Sequence, residues 1–89
     1  MYILTIYGKE DDGAYAVVSS KGEHILYIFE EEDDATRFAM MLEERDHPEM
    51  HVIEVDKETI ITACEIHDYQ YAIITANDIV IPPEQNDFI

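Results

Sequence analysis

Cys64 is the chain's one cysteine, so no internal disulfide can form, and the thiol fits a reducing compartment. Glycine is also scarce: Gly8, Gly13 and Gly22 are the full set, and none opens a helical pattern. A glycine-rich phosphate cradle is therefore excluded. Basic residues number five (Lys9, Lys21, Arg37, Arg45, Lys57) against 21 acids, a formal charge of −16. A surface of that sign repels phosphate, which argues against nucleic acid and anionic membranes as partners. No window approaches the ~20 consecutive apolar residues of a membrane helix. The opening "MYILTIYG" lacks the basic flank and small-residue cleavage site of a leader and reads as a strand. The expected location is the cytoplasm, or the stroma for a chain trimmed from an organelle precursor.

What is present is a globular pattern. Apolar residues make up 47% of the 89 and fall in runs separated by polar turns, unlike a disordered chain. A chain this short is expected to form a single core and buries about 60–65% of its unfolded surface. Residues 1–83 are expected to form a single domain, with 84–89 a polar tail that frays.

Tyr2 to Tyr7 is apolar on both faces and predicts a central strand. "KEDDG" at 9–13 ends it. Tyr15 to Ser19 and Glu23 to Phe29 flank Lys21-Gly22, a hairpin signal, so the first third predicts a three-strand meander. The period then lengthens to 3.6: Ala35, Phe38, Ala39 and Leu42 share one face, and Pro48 stops that helix near Asp46. Met50 to Val55 reads as a short strand. Asp56 is placed to cap a second helix with Ile60, Ala63, Cys64 and His67 on one stripe. Tyr69 to Thr75 is the next strand, Asn77-Asp78 a turn, and 79–81 an extended piece closed by Pro82-Pro83.

The predicted fold is α+β, of order β-β-β-α-β-α-β, a variant of the ferredoxin-like arrangement. It has two layers: one mixed sheet of four to five strands with both helices on one face. Yet the strands are apolar on both sides, as Tyr2, Leu4 and Ile6 against Ile3, Thr5 and Tyr7 show. Under that fold the second face needs a cover: the proline-rich tail, a second copy or a partner.

The most conspicuous local feature is "FEEEDDA" at 29–35. Carboxylates at a helix N-terminus complement its dipole and can cap its free amides, which already accounts for their position. The run lacks the alternating oxygens and glycine of a calcium loop; "EDDG" at 10–13 is nearer in composition but lacks the distant glutamate. Asp46, His47, Glu49 and His51 surround a proline and read as a polar connector rather than a metal site. Cys64 and His67 lie on the apolar stripe, where a free cysteine behaves as a small hydrophobe, and no activating base or oxyanion pocket accompanies them. No catalytic constellation, cofactor motif or metal-ligand spacing is seen, and no enzyme activity is expected.

The stretch "FEEEDDATRFAMMLEERDHPEMHVIEVD", Cys64 in a short helix and the closing "IVIPPE" at 79–84 together resemble the small cyanobacterial and plastid domain-of-unknown-function family thirty-one-ten. The resemblance spans nearly the whole chain. It implies a stand-alone cytosolic domain from a photosynthetic lineage and carries no catalytic or ligand residue.

These features together predict a non-enzymatic protein-binding or regulatory module whose partner is a protein, in particular a basic one. Its expected contacts are the acidic edge Glu30, Glu31, Glu32, Asp33 and Asp34, and a free sheet face carrying Tyr2, Tyr7 and Tyr27, through which a homodimer could also form. The alternative is a homodimeric sensor that binds a small metabolite between subunits.

Overall fold

The computed structural model of the chain describes residues 1–10, 13–78, 80–83 and 85–89. Its elements are β1 (Tyr2–Ile6), β2 (Tyr15–Val18), β3 (His24–Phe29), α1 (Glu32–Glu44), β4 (Met50–Glu54), α2 (Lys57–Ile66), β5 (Gln70–Ile74) and β6 (Asn86–Phe88). The class is α+β, and the order of the first seven elements is the one that hydrophobic spacing predicts.

All six strands join one mixed sheet. β3 is its axis. Along one edge β3 pairs in parallel with the whole of β5, from Ile25↔Gln70 to Phe29↔Ile74. Along the other edge the sheet forks: Leu26 to His24 pair with β2, while Phe29 meets Tyr2 of β1. β1 carries β4 as an antiparallel neighbour over five residues, and β2 carries β6. The expected meander is thus only half present. β2 and β3 form the hairpin, but β1 touches the β2 segment at a single bridge, Thr5↔Ala14.

The helices do not share a face, which corrects the two-layer expectation. Ala35, Phe38, Ala39 and Leu42 of α1 pack with Leu4, Phe29, Met50 and Ile74. Cys64 and Ile60 of α2 pack with Ile3, Leu26, Ile28 and Ile53. Neighbouring residues of one strand (Ile3 and Leu4, Ile28 and Phe29) therefore serve opposite cores, so the molecule has three layers with the sheet in the middle. Strand order supplies the reason. β3 to β4 crosses the sheet over β1 in one direction, and β4 to β5 returns past β1 and β3 in the other. Right-handed crossovers that travel in opposite directions place their helices on opposite faces. The two-sided apolar strands are explained by this burial, and the sheet face expected to be free is the one on which α2 packs.

The tail is also corrected. The segment 84–89, expected to fray, contains β6, in which Asn86, Asp87 and Phe88 pair with Val17, Ala16 and Tyr15. Ala14 and Ile89 exchange backbone hydrogen bonds in both directions. Phe88 adds its ring edge-on to buried Tyr15, so apolar ends at Phe88 and Ile89 outweigh the polar composition of the preceding residues. Gly13 sits at this junction with φ +137°, and a Cβ there would lie 2.8 Å from the Ile89 carbonyl oxygen. Only glycine allows that approach.

Capping follows the sequence at one helix and not at the other. Asp56 accepts from the Thr59 N–H at 3.1 Å and heads α2. At α1 the N-cap residue is Glu31, with extended backbone and no side-chain cap bond. α1 ends at Glu44, two residues before the expected stop, and Asp46 turns the chain with φ 65°. Asp11 and Asp12 of the first turn, Ile79 of the extended piece and Glu84 of the tail lie outside the described residues.

Candidate functional site: the acidic head of α1 and the cleft beside α2

Phe29 ends β3 in the core, and the Glu30 N–H donates to the Ile74 carbonyl at 2.9 Å, which fixes where the acidic run leaves the sheet. From that anchor Glu30, Glu31, Glu32 and Asp33 emerge on the surface, each of them exposed. Among the described residues none of the four has a side-chain hydrogen bond or ion pair. Their acids complement the α1 dipole, since Glu32, Asp33 and Asp34 occupy the first turn. Repulsion between neighbouring carboxylates opposes that gain.

Asp34 does not belong to this surface. Its side chain turns inward, with one oxygen held by the Arg37 Nη1 at 2.9 Å and the other buried without a partner. The shallow recess there, lined by Phe38, Met41, Ile74 and Val80 among others, is largely apolar. Asp34 is thus committed to its own helix by an i,i+3 pair.

The three tyrosines expected on one face are dispersed. Tyr27 is half-buried among Tyr15, Phe29 and Phe38, and desolvation pushes its phenol up from the ordinary value. Tyr2 packs beside the same core; its phenol is also raised, first by the charge of Glu54 and then by burial, Glu32 and Glu31. Tyr2 is therefore next to the acidic head, whereas Tyr7 lies five residues on, just past the end of β1, about 17 Å away at strand rise. There Tyr7 is 61% exposed and meets His51 edge-on.

The histidine connector is organised by hydrogen bonds. His51 Nδ1 lies 2.9 Å from Glu10 Oε2. The Gly8 N–H is the chief cause that holds the Glu10 carboxyl below its usual range, with His51 contributing after it. Among the described residues no group of three His, Cys, Asp or Glu side chains converges in a way that could hold a metal ion.

On the opposite face, α2 leaves a gap toward β2 and β6. Ala14, Leu26, Ile60, Ala63, Cys64 and Ile89 line an apolar cleft of about 240 Å³, with His67 and Tyr69 on its wall. His67 stacks on Tyr69, ring centroids 5.7 Å apart and planes 23° from parallel. Cys64 is buried at the base, and desolvation followed by the charge of Glu65 raises its thiol above the ordinary value. That shift disfavours the thiolate, the reactive form. Sequence reasoning placed Cys64 and His67 on one stripe but missed the cleft, because its far wall is Ala14 and Ile89, brought there by the unforeseen β6.

This geometry defines a small three-layer α+β domain with an acidic surface feature and an apolar cleft. The chain belongs to the family described as Domain of unknown function (DUF3110), which it matches over residues 1–84. No curated protein and no solved structure matches it.

Proposed function

We propose that the protein is a non-enzymatic protein-binding module that engages a basic partner through the head of α1, at Glu30, Glu31, Glu32 and Asp33. The observation that carries this reading is that these four exposed carboxylates, among the described residues, have no side-chain partner inside the fold. A carboxylate neutralised by an ion pair loses much of its capacity to steer a partner; these four, paired to no cation among the described residues, keep it. A field of this sign raises encounter rates with a cation-bearing surface and does so less as salt rises. In line with the family resemblance, the site of action is the cytosol of a photosynthetic lineage.

The test is affinity capture with tagged protein from the source lysate, quantified at low and moderate salt, with Glu31→Lys/Glu32→Lys/Asp33→Lys as the parallel bait. A complex retained by the wild-type bait, weakened by salt and lost with the triple variant, is the expected result. Equal capture by the two baits would remove the acidic head from the account.

The cleft beside α2 favours a second reading, a sensor of a small apolar metabolite. Its volume, about 240 Å³, lies below the roughly 300–1,000 Å³ usual for small-molecule sites, which restricts this reading to a very small ligand. A native-state ligand would raise the melting temperature by mass action. A melting temperature unchanged across a panel of small apolar metabolites would count against it.

A further inference from the structure

We propose that two copies of this chain associate through the free edge of β5, in an antiparallel pairing centred on Ala72 that continues the sheet across a two-fold axis. This goes beyond the acidic-head reading and does not depend on it.

The backbone sets the register. In the parallel ladder the Ile74 carbonyl accepts from Glu30, so Gln70, Ala72 and Ile74 direct their amides and carbonyls toward β3. Tyr71 and Ile73 accordingly direct theirs outward, and among the described residues β5 has no second neighbour. Unpaired strand edges are templates for a further strand. With Ala72 on the axis, Tyr71 of one copy faces Ile73 of the other, and each of these pairs exchanges reciprocal N–H to C=O bonds. The outward groups of β5 are thus complementary to themselves, the condition for an isologous two-fold contact.

Charge singles out this edge. Residues 69–77, "YQYAIITAN", contain no Asp, Glu, Lys, Arg or His in a chain of net charge −16. The other outer strands do carry them: Glu54 and His51 on β4, Asp87 on β6. Acids instead frame β5, with Asp68 before it and Asp78 after it, Glu30 bonded to its end and Glu23 accepting from the Gln70 side chain at its start. Opposite the strand itself a basic side chain would find no countercharge, the acids lying only at its ends, whereas a second copy presents a neutral strand of equal length. The surface beside it is apolar, with Ile66 73% and Tyr71 40% exposed. In the antiparallel register the acidic frame of one copy approaches that of the other, so association should strengthen with salt. Binding of a basic partner at the α1 head should weaken with salt.

Sedimentation velocity across concentration at low salt and at 0.5 M sodium chloride reads this directly. The wild type is expected to dimerise, at least tenfold more tightly at the higher salt. Tyr71→Glu removes an apolar contact and adds to the acidic frame, and should weaken the dimer tenfold or more, with unchanged far-UV dichroism to separate lost pairing from lost fold. Ala72→Cys gives a second reading: residues on the axis form a non-hydrogen-bonded pair with Cα atoms about 4.5 Å apart, within disulfide reach. Mild oxidation should therefore cross-link that variant and not Thr36→Cys at an exposed position of α1. A chain that stays monomeric at every concentration and salt would overturn the proposal and leave the edge to a strand from another protein. A dimer indifferent to Tyr71→Glu, or equal cross-linking of the two cysteine variants, would place the contact elsewhere and overturn it as well.

Discussion

Phe38 shows how much a single side chain carries in a chain of this size. It is fully buried and its ring meets those of Tyr15, Tyr27 and Phe29, with centroids 5.5 to 5.7 Å away. Phe38→Ala should cost about 3–5 kcal/mol. That is a large share of the ~5–15 kcal/mol available to a domain, so chemical denaturation should show a destabilised or unfolded variant. Asp56 acts by charge rather than volume. Its bond from the Thr59 N–H holds the carboxyl below its usual range. Because the folded value is the depressed one, the contribution is fully present above the unfolded value and is lost as pH falls through the folded one. Asp56→Asn keeps a capping group without that titration. Between pH 5 and pH 2 its melting temperature should fall less than that of the wild type; equal slopes would show that the cap contributes nothing to acid sensitivity. Both residues were legible in the sequence, Phe38 by helical spacing and Asp56 as a cap type before an apolar stripe. Gly13 was not, since its constraint comes from Ile89, 76 positions later.

At the level of elements, the periodic segments were readable and the partnerships between them were not. The shift from period two to period 3.6 located α1 and α2 within a few residues. Apolar residues on both sides of β1 and β3 correctly implied two covered faces, yet the second cover was sought in the proline-rich tail, a second copy or a partner rather than in α2. Hydrophobic spacing carries no information on whether a crossover travels left or right across the sheet, and that choice put α2 where a partner was expected. β6 escaped for a different reason: three residues, one charged, are too short to establish a period. Its removal tests its role. A chain ending at residue 84 loses the Phe88 contact with Tyr15 and the Ile89 wall of the cleft. Amide exchange in β2 should then rise toward that of loops, and the melting temperature should drop by several degrees. Protection in β2 equal to that of the intact chain would mean that β6 contributes little to the fold.

For the whole molecule the governing quantity is the net charge of −16, which enters the two association modes with opposite sign. It attracts a cationic partner to the α1 head and repels a second copy at β5, so salt should shift the balance from the first to the second. The candidate contacts were partly legible. Glu30 to Asp33 stood out as a run, while the inward turn of Asp34 and the separation of Tyr2, Tyr7 and Tyr27 depend on three-dimensional packing.

The central claim, that the acidic head steers association, is tested most directly by the rate at which the captured partner binds the wild type and the Glu31→Lys/Glu32→Lys/Asp33→Lys variant across ionic strength. Stopped-flow or surface-based kinetics should give a wild-type on-rate that falls steeply with salt and a variant on-rate at least tenfold lower at low salt, with a nearly flat dependence. Superimposable salt profiles for the two proteins, with the variant shown to be folded, would contradict the account.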